Sequence, residues 1–126
     1  MTTPARPASP TAELRAATDA LRDDLATATE AVPGVVRLEP SLRNALRRLH
    51  VGTTVLAGGR AARSAADGIE LHRRLEVVDV HVDLVTSADR SAADVARAVR
   101  EALGSVIRSR GLEPGSLAVA VLSVER

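Results

Sequence analysis

The 126-residue sequence contains no phenylalanine, tryptophan or tyrosine. A core without aromatic rings must be filled by leucine, valine, isoleucine and alanine, so it lacks the largest apolar side chains. Modules that bind RNA or single-stranded nucleic acid usually stack bases on aromatic side chains. The absence of these residues argues against that class of protein.

Cysteine and lysine are missing as well, and all 17 basic side chains are arginine. Without cysteine there is no thiolate nucleophile, no disulfide and no cysteine-ligated zinc. Without lysine there is neither a Schiff base nor a P-loop. No G-x-S-x-G motif frames any of the serines. We therefore assign no catalytic residue and no cofactor-binding residue, and we expect a protein that is not an enzyme and uses no cofactor.

Long apolar runs are also lacking. The longest extends from Leu117 to Leu122, far short of the roughly 20 residues that a membrane-spanning helix needs. No signal peptide opens the chain. The length is that of one domain. We expect one cytoplasmic domain that reaches a membrane only indirectly, through a partner.

The stretch Leu75–Val124 predicts a strand, a helix and a second strand. In the first strand apolar and polar residues alternate, so that one face is apolar. Ser91 is suited to cap the helix, and Gly111 to end it. After a turn at Pro114–Gly115, the run Leu117–Val124 is apolar on both faces, which is typical of a strand inside a sheet or covered on both sides. The residues of the apolar face of the first strand are Val78, Val80, Val82 and Leu84.

Residues 1–10 are rich in proline and predict a disordered tail. The pair Ser9-Pro10 predicts the start of an amphipathic, acidic helix, which Pro33-Gly34 stops. A short strand is expected at Val35–Leu38, and a second helix from Pro40 to Leu49.

The small residues at 51–67 predict a flexible loop. The alternation in Ile69–His72 then predicts a short strand, which forms a hairpin with the long strand through a turn at Arg73-Arg74. Together the elements predict an α+β fold for residues 11–126. It is a small two-layer sandwich of helices on a mixed sheet of about three or four strands, in the order α-β-α-β-β-α-β.

The segment from Arg37 to Arg63 is the strongly basic part of the chain, with six arginines against one acid and a local net charge of +5. Arg43, Arg47 and Arg48 fall on one face of the predicted second helix. This face is the predicted interaction surface for an acidic partner, for lipid headgroups or for the acidic first helix of another copy. A solvated helix face without a partner has the same pattern.

Asp79, His81 and Asp83 share one face of the long strand, and His72 lies on the neighbouring strand. Carboxylate and imidazole groups are ligands for divalent metal ions. Successive side chains on one strand face are about 7 Å apart, which is too far for all three to share one ion. We therefore favour a solvated face and predict no metal site.

Five segments resemble the alkaline shock protein family, the envelope and general-stress proteins of Gram-positive bacteria. The resemblance runs from Ala31 onward and consists of fold-forming patterns of valine, alanine and glycine. The segments are Val32–Val36, Asp67–Leu71, Val77–Val85, Asp94–Ala102 and Leu117–Glu125.

The resemblance implies a small cytoplasmic protein of the envelope stress response, without enzymatic activity. Such a protein assembles as a homo-oligomer and is recruited to the inner face of the membrane by an anchoring membrane protein. Two features differ from the family pattern. Pro4, Pro7 and Pro10 occupy the place of an initial strand, and the segment Ser41–Ala66 is longer and more basic.

Two other functions remain open. The arginine-rich second helix also fits a nucleic-acid or anion-binding module, which predicts steeply salt-dependent binding. A net charge of only +1 and the missing aromatic residues disfavour nucleic acid. A small-molecule or metal-binding protein built on the Asp79 to Asp83 face predicts that the ligand raises the thermal stability.

Overall fold

A computed structural model describes residues 9–40 and 65–126. Within these ranges the chain forms two α-helices, one short 3-10 helix and four strands, which confirms the predicted α+β class. Residues 1–8 of the predicted tail, 41–49 of the predicted second helix and 51–64 of the predicted loop lie outside them. The elements are α1 (Pro10–Glu30), β1 (Val35–Glu39), the 3-10 helix (Ala65–Gly68), β2 (Ile69–Arg74), β3 (Val77–Ser87), α2 (Ala92–Ser109) and β4 (Glu113–Glu125).

The strand β3 is the centre of a mixed sheet. It runs antiparallel to β1 and β2 on one side and parallel to β4 on the other. The parallel pair is connected through α2, as the predicted strand-helix-strand unit requires. The helix α2 packs mainly on β4, and α1 packs mainly on α2 and also on the 3-10 helix and β1.

The strands β1 and β2 lie end to end along the same side of β3. Glu39, the last residue of β1, pairs with Asp83, and Ile69, the first residue of β2, pairs with Val82. Because Asp83 and Val82 are consecutive, β1 and β2 act as one edge strand that is interrupted by the chain between them. Gly68 allows the junction to close, since a Cβ there would lie 2.7 Å from the Cβ of Leu38.

The core lies between the sheet and both helices. Its strand face is the predicted one, because the side chains that alternate along β3 from Val78 to Leu84 are buried. The apolar side of α2 and two leucines of α1, Leu21 and Leu25, complete it, and an ion pair between Asp24 and Arg110 joins the two helices at its rim. The core residues of the helices are Leu21, Leu25, Ala26, Val95, Val99, Leu103 and Ile107.

The predicted helix ends are confirmed. The hydroxyl of Ser9 accepts a hydrogen bond from the backbone N–H of Ala12, and that of Ser91 accepts one from Asp94. Each serine thereby satisfies one of the N–H groups that a helix leaves unpaired at its start. Gly111 has a φ of 74° and ends α2 in the left-handed conformation that glycine adopts most easily.

The hairpin between β2 and β3 is confirmed, but its predicted turn at Arg73-Arg74 is wrong. Both arginines belong to β2, and Arg74 pairs with Val77. The turn consists of Leu75 and Glu76, with Leu75 at a φ of 53°. The Arg73 guanidinium donates a hydrogen bond to the carbonyl of Leu75, which helps to hold a turn that lacks glycine and asparagine.

The predicted turn at Pro114-Gly115 is wrong as well, because both residues lie inside β4. The chain reverses earlier, at Arg110-Gly111. Pro114 pairs with Val78, whereas Leu117 pairs with Val80, so that Gly115 and Ser116 together oppose Asp79. The extra residue in β4 creates a β-bulge, and proline and glycine are tolerated at such a position in a strand.

Candidate functional site

The face of the sheet opposite the helices carries polar side chains, and neither of the described helices packs on it. Pairing across the strands places the directly opposed residues on the same side, so the neighbours of Asp79, His81 and Asp83 share their face. This open face contains Arg37, Glu39, Glu70, His72, Arg74, Asp79, His81, Asp83, Ala118 and Ala120.

Asp79 is fixed by the bulge in β4 and by the hairpin. Its Oδ1 accepts a hydrogen bond of 2.8 Å from the backbone N–H of Ser116, and its Oδ2 lies 3.0 Å from the Arg74 guanidinium. The hydrogen bond from Ser116 and, to a lesser degree, the charge of Arg74 hold the pKa of Asp79 below its ordinary value. A Cβ at Gly115 would lie 2.2 Å from Oδ1, so glycine is needed where the carboxylate meets the bulge.

Replacing Asp79 with asparagine is expected to destabilise the protein at pH 7 and to remove part of its sensitivity to acid. Because the folded pKa of Asp79 lies below the unfolded one, the unfolded state binds the proton first, and stability rises with pH through that window. The stability that the ionised Asp79 contributes is complete above about pH 4, the ordinary pKa of aspartate. It disappears as the pH falls through the pKa of Asp79 in the folded state.

Urea unfolding of both proteins at several pH values measures this effect. The difference in unfolding free energy should shrink as the pH falls. The control is Asp23→Asn, since Asp23 is an exposed aspartate of α1. An Asp79→Asn difference that stayed constant from neutral to acidic pH would contradict the assignment.

His81 and Asp83 form a pair of their own. The Nε2 of His81 lies 2.7 Å from the Oδ1 of Asp83. The structure thus places Asp79, His81 and Asp83 on one face, as predicted, but divides them between different partners. Within residues 9–40 and 65–126, no group of three or more ligand side chains could hold a metal ion.

Arg37 belongs to the basic segment of the sequence, but its charge forms ion pairs within the sheet. Its guanidinium lies 2.6 Å from Glu39 and 2.7 Å from Glu125, so it connects β1 with β4 across β3. Val85, which pairs with Arg37 on β3, is only 2% exposed. The hydrogen bond that Arg37 donates to Glu39 is the main cause that raises the pKa of Arg37. The pairing of distant strands, which a linear sequence does not display, explains why this role was missed.

The predicted interaction residues Arg43, Arg47 and Arg48 lie outside the described residues. Among the described residues the open face is acidic, because Glu39, Glu70, Asp79 and Asp83 outnumber its two arginines, Arg37 and Arg74. A polyanion would meet repulsion there.

The strand β4 lies at the edge of the sheet, which corrects the prediction that it is interior or covered on both sides. Of the described strands it pairs with β3 alone. Leu122 is 58% exposed and Val124 is 53% exposed. The sequence between Glu113 and Glu125 contains no charged residue. The apolar pattern that predicted an interior strand therefore belongs to an edge on which no other described strand pairs.

Neither helix of the described part of the chain is long and apolar enough to cross a membrane.

No protein-family model and no curated protein matches the sequence. Among solved structures, the chain is similar to several variants of the MamM CTD. One has a TM-score of 0.48 and 12% identity, with 86% of this chain and 96% of the other covered. Another has a TM-score of 0.47 and 13% identity over 88% and 96%. A copper form has a TM-score of 0.46 and 13% identity over 84% and 96%. A likeness at this level carries no argument about function.

Proposed function

We propose that this protein is a non-enzymatic interaction domain that assembles with copies of itself and is recruited to the inner face of the membrane by a protein partner. The observation that carries the proposal is the edge strand β4, a 13-residue strand that pairs on one side only among the described residues. Between its terminal residues Glu113 and Glu125 this strand has no charged residue, and such an edge is a template for pairing with another chain.

The open sheet face supports an interaction role over a catalytic one. Its best-defined polar groups are engaged with one another: Asp79 with Arg74 and Ser116, and His81 with Asp83. Catalytic groups converge on a position where a substrate atom can sit. Here Asp79 instead stabilises the hairpin and the bulge, and His81 and Asp83 pair with each other within β3.

We propose further that the protein is an envelope stress scaffold of the alkaline shock type. The support is that the resembling segments are those that build the fold: Val77–Val85 lies in β3, Asp94–Ala102 in α2 and Leu117–Glu125 in β4. The anchoring partner and the stress role rest on this resemblance.

Fractionation of the tagged protein from its native host tests the proposal. The membrane pellet is washed with high salt and then with detergent. Recovery in the pellet, with release by one of the two washes, is the expected result, and co-purified proteins then identify the anchor. A protein found only in the supernatant, and monomeric there, would contradict the proposed role. Salt-dependent nucleic-acid binding would be measured next, because the alternative function requires it.

Reversing two arginines of the predicted interaction surface should weaken this recruitment. We expect Arg43→Glu combined with Arg47→Glu to lower the pelleted fraction several-fold, because a basic face that binds an acidic partner becomes repulsive. The matched control is Arg100→Glu combined with Arg108→Glu, a double reversal on the exposed side of α2. Equal effects of the two pairs would indicate that net charge alone matters, and would contradict a specific surface at Arg43 and Arg47.

A further inference from the structure

The outer edge of β4 has a regular centre between two irregular ends. The pairing of β4 with β3 shifts at Gly115-Ser116 and again at Leu122, whereas Leu117 to Val121 pair one by one with Val80 to Leu84. Edge strands are usually protected by charges, by proline or by bulges. Of these, the centre from Leu117 to Val121 has none.

This centre is self-complementary. Its side chains alternate large and small about Val119: Leu117, Val119 and Val121 face the core, and Ala118 and Ala120 face the open side. Two antiparallel copies related by a two-fold axis at Val119 would place Leu117 against Val121 and Ala118 against Ala120. Large apolar residues would meet on the core face, where cross-strand pairs with a β-branched residue are favourable, and small residues would meet without a clash on the open face.

The helix above this edge has a matching surface. α1 covers one flank of α2, and the other flank is uncharged and partly or fully exposed. Spacings of four, three and four residues put its members on one side of the helix. Small side chains there let a second helix approach closely. The members of this flank are Ala98, Ala102, Ser105 and Ser109.

The opposite edge of the sheet offers no comparable template. It is interrupted between Glu39 and Ile69, and its strands contain the charged residues Arg37, Glu39, Glu70, Arg73 and Arg74. Pairing of β4 with that edge of another copy would place charges beside an apolar strand and would build an open filament. Pairing of β4 with β4 closes a dimer through one patch on each copy.

We propose that two copies of this chain pair through β4, antiparallel and with the two-fold axis at Val119, so that one continuous sheet crosses both copies and the exposed flanks of the two α2 helices face each other. This inference rests on the proposed self-assembly and specifies its geometry. The second copy completes the burial of Leu117, Val119 and Val121, which a single chain leaves partly exposed.

Cysteine cross-linking tests the register, and the chain has no cysteine of its own. Ala118→Cys and Ala120→Cys are made separately and oxidised alone or as a mixture. In the proposed dimer residue 118 of one copy opposes residue 120 of the other, with Cα atoms about 5 Å apart, which suits a disulfide. In a dimer of two copies of the same variant, the Cα atoms of the two cysteines lie roughly 8 Å apart, which is too far for a disulfide. We expect the mixture to cross-link and each variant alone to remain largely uncross-linked.

A second variant tests the edge without a thiol. Leu122→Lys adds a charge to an exposed position beside the paired centre, and should raise the dimer dissociation constant at least about tenfold. Val36→Lys is the matched control, since Val36 is an apolar residue, 45% exposed, on the opposite edge. It should leave dimerisation unchanged. Circular dichroism of each variant verifies folding.

The outcomes separate the two proposals. Cross-linking in the mixture alone, with loss of dimer in Leu122→Lys, supports the β4 dimer. A chain that self-associates without cross-linking in the mixture overturns the β4 geometry and leaves the proposed self-assembly standing. A chain that is monomeric under all conditions overturns both.

Discussion

Replacing Leu103 with alanine is expected to lower the free energy of unfolding by about 3–5 kcal/mol. Leu103 is fully buried in α2, within the one core that both helices share with the sheet. The loss exceeds the transfer energy of the removed atoms, because the cavity cannot be filled. Six of the thirteen residues of this core are valines, whose branched side chains have few rotamers with which to move into a gap.

Urea or guanidinium unfolding followed by circular dichroism measures this loss. The matched control is Leu14→Ala, the same substitution in a helix at a position that is 54% exposed. It should change stability by less than about 0.5 kcal/mol. Small domains have about 5–15 kcal/mol of stability in total. Leu103→Ala should therefore unfold at a much lower denaturant concentration than the control variant. Equal losses for the two variants would contradict the placement of the core.

Replacing Gly34 with alanine is the second change with a large expected effect, about 2–4 kcal/mol of destabilisation. Gly34 has a φ of 96°, a conformation that residues with a Cβ rarely adopt. An added Cβ would also lie 2.6 Å from the Cγ2 of Val95, a buried residue in the first turn of α2. The chain crosses from α1 to β1 here, and the carbonyl of Gly34 accepts a hydrogen bond from Ser87, the last residue of β3.

Gly111→Ala separates the two causes. Gly111 also has a positive φ, 74°, but nothing lies within 4 Å of its added Cβ. Gly111→Ala should therefore lower the free energy of unfolding only by the backbone strain, about 1–2 kcal/mol. The difference between the two glycine variants, measured by thermal or chemical unfolding, reports the clash with Val95. A Gly111→Ala loss as large as that of Gly34→Ala would show that close packing at Gly34 contributes nothing.

Much of the fold could be predicted because its signals are local. Ser9 and Ser91 have side chains that cap the adjacent helix, and the alternation along β3 identifies its buried face without knowledge of any partner strand. Gly111 ends α2 for a reason that lies in its own backbone. Each of these features depends on a few neighbours in sequence.

The errors concern features that depend on residues far apart in the chain. Pro114-Gly115 is typical of a turn, but the carboxylate of Asp79 accepts the Ser116 hydrogen bond and keeps the pair inside a strand. Leu75 has no preference for a positive φ, and the pairing of β2 with β3 imposes it. The end-to-end arrangement of β1 and β2 cannot be recognised until both are paired with β3.

The open face was predicted in part. Period-two alternation correctly grouped Asp79, His81 and Asp83, but it could not indicate that Arg74 and Ser116 engage the first of them. The apolar run in β4 predicts burial inside one chain. An apolar strand is equally suited to burial between two chains, and composition alone does not distinguish them.

Sedimentation velocity of the purified 126-residue chain across micromolar concentrations tests the central claim most directly, because self-assembly makes the sedimentation coefficient depend on concentration. We predict a shift from monomer to dimer as the concentration rises, and its weakening in Leu122→Lys but not in Val36→Lys. A monomer at every concentration, in the wild-type chain as in both variants, would contradict the account.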